Sequence, residues 1–138
     1  MEWSEVRWGE SPRVLLQAAR EISKELGHYE IIFPLHLLLG LLINARPLSL
    51  AIPRPEWESV QASMRTFAPC WGDDLVVLSP GGQTPTTKRI LEHAAELAVA
   101  AGELLEVEQV WAALNVVESV LVQAVLSRLG LASGVSPD

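Results

Sequence analysis

A chain of 138 residues suits a single domain with a core of its own. Apolar residues make up 49% of it and aromatics only 6%, so the core rests on Leu, Val, Ala and Ile, and a disordered chain is excluded. A formal net charge of -7 with no basic cluster repels phosphate backbones and argues against a nucleic-acid partner.

In chain order, residues 1–10 carry acids and tryptophans where a secretory signal would have a basic and then an apolar stretch. The Met1 start favours a complete protein. A first helix follows, its apolar stripe formed by Leu15, Leu16, Ala19, Ile22 and Leu26, with Gly27 as a left-handed stop. Leu37, Leu38 and Leu41 mark the buried side of a short second helix. The greasy run over residues 31–43 is too short to cross a bilayer and is interrupted by Pro34 and His36. These features imply a cytoplasmic protein with no membrane partner.

Pro47, Pro53 and Pro55 then break the helical pattern. Residues 56–67 read as helical, with Trp57, Val60, Met64 and Phe67 on one side. Pro69 to Gly72 turn the chain, residues 75–78 suit a short extended segment, and Pro80, Gly81 and Gly82 form a loop.

Next the pattern repeats. Positions 75 residues beyond the first stripe hold Ile90, Leu91, Ala94, Leu97 and Ala101, and the stop recurs as Gly102. The second short helix recurs 73 residues on, as Val110, Trp111 and Leu114, so the two-residue change belongs in the connecting loop. A last amphipathic helix carries Val117, Val120, Leu121, Ala124 and Val125, and Gly130 ends it. The expected architecture is all-α: one domain over 1–138, with repeat one at about 8–43, a connector at 44–83, repeat two at about 84–131 and a tail at 132–138. Neither repeat has enough apolar surface to stand alone, so the two pack together.

This duplicated layout resembles the amino-terminal domain of the Clp ATPases, a double helical repeat with an approximate twofold. The resemblance is carried by Trp8-Gly9 through Gly27-His28, by Leu35-His36-Leu37-Leu38-Leu39-Gly40-Leu41-Leu42, by Thr84-Pro85 through Gly102, and by Glu108-Gln109-Val110-Trp111. It implies a domain that recruits substrates and adaptors to an unfolding ring. In some members each repeat is thought to form a pocket for an anionic modified arginine, from a Thr at the start of the first helix and a Glu before the His of the second. The second repeat has both, as Thr84 and Glu108; the first has Gly9 and Leu35. A surviving pocket is therefore expected in the second repeat alone. No phosphate-binding Gly-x-x-x-x-Gly-Lys-Ser/Thr loop occurs, so a whole protein of this sequence is expected to be a stand-alone accessory or adaptor subunit without ATPase activity, whereas for a fragment the parent chain would supply the motor.

Each candidate also has a structural role. Thr84 before Pro85 is a helix cap, and Glu108 suits the positive end of its helix. His36 is expected to be a buried, hydrogen-bonded imidazole. Cys70 lacks nearby positive charge to activate it as a nucleophile, and no cluster has metal-ligand spacing, so no cofactor, metal or catalytic residue is expected and the chain is read as a non-enzyme. Gly81-Gly82-Gln83 matches a peptide-release tripeptide, but the acidic chain makes it a turn. Trp111 is expected in the core. Trp57 and Trp71 with the Pro-rich connector form either a docking patch, since tryptophan is enriched at binding hot spots, or a cover folded over the core. The partner expected is a protein: a Clp ATPase or protease subunit, a substrate or an adaptor. The alternative is a diverged oligomerisation scaffold, such as a homodimer, with no remaining Clp link.

Overall fold

The computed structural model describes residues 6–67 and 82–131. Six helices lie within them: α1 Glu10–Glu25, α2 Pro34–Ile43, α3 Trp57–Met64, α4 Pro85–Ala101, α5 Val107–Val117 and α6 Ser119–Arg128. Strand character is confined, among the described residues, to two isolated parallel bridges, Trp8 with Leu105 and Ile32 with Gln83.

α1 forms because Glu10 and Lys24 suit its two ends and its apolar positions recur on one face. Leu15 and Ala19 are fully buried on that face, and Ile22 is nearly so. The helix ends as expected: Gly27 takes φ +80° and the His28 N–H returns to the Ser23 carbonyl at 2.8 Å. α4 ends the same way, with Gly102 at φ +67° and the Glu103 N–H on the Ala98 carbonyl at 2.9 Å. Gly130, at φ +69°, stops α6.

α2 is apolar on every side and buried from Pro34 to Leu42, as an all-round hydrophobic helix must be. It packs on α1, α4, α5 and α6. Each fully buried leucine there contributes about 1.5–3 kcal/mol. Gly40 lets α1 approach, since a β-carbon on it would stand 2.8 Å from Leu15 Cδ1. α5 and α6 are separated by a bend of 98° and cover the other side; no single helix among the described residues is long and apolar enough to span a membrane.

Between α1 and α2 the turn holds two consecutive left-handed non-glycine residues, Tyr29 and Glu30, each at φ +61°. They fall in the stretch where the first repeat is two residues longer than the second, so the change of offset is absorbed there. The connector contributes α3, whose Val60 and Met64 are fully buried. Arg128 ties α6 to it, with Nε donating to the Ser63 carbonyl and a terminal nitrogen to Thr66 Oγ1, both at 2.8 Å.

Three side chains depart from the expected stripes. Leu97 is 38% exposed and Ala101 is exposed, while Ala95 and Ala98 line the core in their place. Helix periodicity alone keeps Leu97 and Ala101 on the face of Ile90, so the adjacent row buried in the last turns of α4 is chosen by packing and not by periodicity. Val120 is 79% exposed and Val122 and Leu126 are buried, because the bend before α6 resets which face meets the core. Trp111 is half-buried at the edge of the core.

Candidate partner-binding site

The two repeats meet along a seam with two equivalent cradles. In the first, the Gly9 N–H donates to the Leu105 carbonyl at 2.9 Å and the Leu105 N–H to the Arg7 carbonyl at 2.8 Å. In the second, the Thr84 N–H donates to the Ile32 carbonyl at 3.2 Å and the Ile32 N–H to the Gly82 carbonyl at 2.9 Å. Residues 9 and 84, and 105 and 32, are mates under the repeat offsets. Each cradle thus joins the start of a long helix in one repeat to the start of the short helix in the other.

At the first cradle the α5 start supplies two carboxylates. Glu106 accepts from Ser11 Oγ at 3.0 Å, and the same hydroxyl accepts from the Val107 N–H at 3.1 Å. The Glu106 carboxylate lies where a side chain at position 9 would go: a β-carbon on Gly9 would stand 1.1 Å from Oε1. Glu108 is half-buried and holds the connector turn, accepting from Ser49 Oγ at 2.6 Å and from the Ser49 N–H at 3.2 Å. Leu48 beside it is fully exposed.

At the second cradle Thr84 is fully buried. Its Oγ1 accepts from the Thr87 N–H at 3.2 Å, capping α4. Thr87 Oγ1 donates to the Ile32 carbonyl at 2.8 Å, so the Thr84 hydroxyl donates to Thr87 Oγ1 at 2.9 Å. His36 is fully buried, and its Nδ1 accepts from the Phe33 N–H at 3.0 Å at the start of α2. Its Nε2 meets His28 Nδ1 at 2.8 Å. The first cradle repeats this pattern without imidazoles: Gln109 Oε1 accepts from the Glu106 N–H at 2.8 Å, and its amide nitrogen donates to Glu103 at 3.3 Å. Burial lowers the pKa of both histidines, and the neighbouring His28 adds to this at His36, which is pushed down to about 3.

A cleft of about 430 Å³ opens on the seam, lined by the mates Trp8 and Gln83 together with Lys88, Leu91 and Glu92. Among the described residues no group of three or more His, Cys, Asp or Glu side chains is placed to hold a metal ion.

The arrangement of helices matches a solved structure, the N-terminal domain of the caseinolytic-protease-associated chaperone ClpD from Arabidopsis thaliana, with a TM-score of 0.69 over 93% of this chain and 89% of that one. The chain has a Clp N-domain fold. The two sequences share 21% identity, so the likeness is one of fold. No protein-family model and no curated protein matches the sequence.

On this fold the expected pocket residues are apart. α4 is seventeen residues, about 25 Å, long, with Thr84 at its start, while α5 runs back along it from its end. Thr84 therefore lies in the second cradle beside Ile32, and Glu108 in the first beside Ser49. The pairs brought to a common seam are Gly9 with the α5 start and Thr84 with the α2 start, each drawn from both repeats. Trp57 is half-buried and packs on the core, sharing a surface hollow with Ala18, Ile22 and Ile43 of the first hairpin. Trp71 and Cys70 lie outside the described residues, as do the tripeptide's Gly81 and the segment at 75–78. Glu106 and Ser11 were not singled out by sequence reasoning; Gln109 three residues after Glu106, a capping-box spacing, was the signal available.

Proposed function

We propose that this chain is a protein-binding module acting as an adaptor or accessory subunit of a Clp-type chaperone or protease system, in the cytoplasm and without ATPase activity of its own. The observation that carries the reading is the Clp N-domain fold over 93% of the chain. The seam supports it chemically. Its cleft combines the apolar faces of Trp8 and Leu91 with the charges of Lys88 and Glu92, a lining suited to side chains of another protein. Glu108 at the rim of the first cradle and Thr84 in the second are the residues proposed to contribute to partner binding, with Trp57 and Trp71 of the connector sequence. The mechanism is binding alone, with rigid helix hairpins presenting a preformed surface.

The test is affinity capture by the tagged protein from lysate of its own organism, with Glu108→Ala in parallel. Retention of Clp ATPase or protease subunits by the wild type, and their loss with the variant, is the expected result. An eluate without Clp components overturns the reading. A homodimer in light scattering at micromolar concentration, together with such an eluate, would favour an oligomerisation scaffold instead.

A further inference from the structure

We propose that the His28–His36 pair is an acid-release latch: taking up a proton breaks the hydrogen-bonded chain that holds the residue 28–33 turn, and so loosens the Ile32 side of the inter-repeat seam. The chain of bonds runs in one direction. The Phe33 N–H donates to His36 Nδ1, which fixes the His36 proton on Nε2, and Nε2–H donates to His28 Nδ1. A neutral imidazole has one basic nitrogen. Both basic nitrogens are therefore already spent as acceptors. A proton added to His28 Nδ1 sets two N–H groups against each other. His36 can relieve this only by moving its own proton to Nδ1, where it opposes the Phe33 N–H.

The turn is built to respond to that loss. Ser23 Oγ reaches the His28 carbonyl at 3.2 Å and the Ile31 carbonyl at 2.6 Å, and between them stand the left-handed Tyr29 and Glu30. Two consecutive non-glycine residues in that region are strained and persist only where surrounding bonds hold them. Ile32 follows directly, bonded to Gly82, Thr84 and Thr87. Other charges near the turn are Lys24 and Glu25 at the exposed end of α1 and the half-buried Glu30; α2 contributes only His36, and Thr84 and Thr87 from α4 carry no charge. Burial lowers both imidazole pKa values, in keeping with a neutral pair. The first cradle is the internal control, because Glu103 and Gln109 make the equivalent bond without an imidazole.

Amide hydrogen exchange of the intact protein between pH 7.5 and 5.0, corrected for intrinsic rates, tests the latch. Folded-state pKa values below the free value near 6.5 mean that the opened turn binds the extra proton, so stability is lost as pH falls below about 6.5. Protection at Ile32 and Thr84 is expected to fall by pH 5, by at most about thirtyfold for one proton over about 1.5 pH units, while Gly9 and Leu105 keep theirs. The double variant His28→Gln/His36→Gln, which keeps the hydrogen-bonded chain through two amides and titrates at neither place, is expected to flatten the response. Equal losses in both cradles, no loss at Ile32, or an unchanged response in the double variant would each overturn the proposal. Should that variant not fold, the comparison of cradles within the wild type still decides.

Discussion

Gly9 lies directly beneath the carboxylate of Glu106, so closely that a β-carbon on the glycine would stand 1.1 Å from Oε1. The two residues come from opposite ends of the sequence, yet each accounts for the other. Where the resemblance to Clp domains expects a threonine, the chain has no side chain, and the space is taken by its own carboxylate, held by Ser11. Gly9→Ala is therefore expected to displace Glu106 and forfeit that hydrogen bond, costing about 1 kcal/mol. In a Glu106→Ala background the same substitution should cost nothing measurable. A double-mutant cycle by urea unfolding reads the coupling; additive effects would show that the two positions do not compete for the same space.

Thr84→Ala removes a buried cap and leaves Thr87 without one of its partners. A loss of about 1–2 kcal/mol is expected, visible as a lower thermal midpoint. Thr84→Ser keeps the hydroxyl and should recover most of it. Were Thr84→Ala neutral for stability, its burial and cap would not account for the residue.

The parts of the fold legible in the sequence are those set by short-range chemistry. Leu15, Ala19, Ile22 and the Gly27 stop, and their counterparts Ile90, Ala94 and Gly102, are specified within single helices, as is the Thr84-Pro85 start of α4. His36, expected as a buried and bonded imidazole, is one. What was not legible depends on contacts across some 50 to 95 residues. Glu106 reaches Ser11, and Thr84 faces Ile32 and not Glu108, because the hairpins exchange partners along the seam. A repeat read along the chain assigns each pocket to one repeat; the fold builds each cradle from both. Leu97 and Val120 were misplaced for another reason, since the row that the last turns of α4 bury and the bend before α6 are settled by packing.

Glu108 holds Ser49 through both of its oxygens, at a half-buried position where solvent weakens each bond. Glu108→Ala should consequently leave the unfolding midpoint within about 0.5–1 kcal/mol of wild type. Its sensitive readout is local: proteolysis in the exposed turn around Leu48 should accelerate. A large global loss would instead mean that Glu108 supports the core, and would remove its use as a binding probe.

His36 and Gln109 occupy equivalent places and perform the same task, each accepting the backbone N–H at the start of its short helix. The chain thus contains its own evidence that an amide can replace the imidazole. His36→Gln is expected to fold and to keep most of its stability at pH 7, because the glutamine oxygen can take the Phe33 N–H and its nitrogen can still donate to His28. His36→Ala leaves that N–H and His28 Nδ1 unpaired and opens a hole against a fully buried helix, so a loss of about 2–4 kcal/mol is expected. Urea denaturation of the two variants side by side distinguishes the cap from mere filling of space. If His36→Leu, which restores volume without an acceptor, proved as stable as His36→Gln, the hydrogen bond at the start of α2 would contribute nothing net, and the symmetry of the two short helices would be one of shape alone.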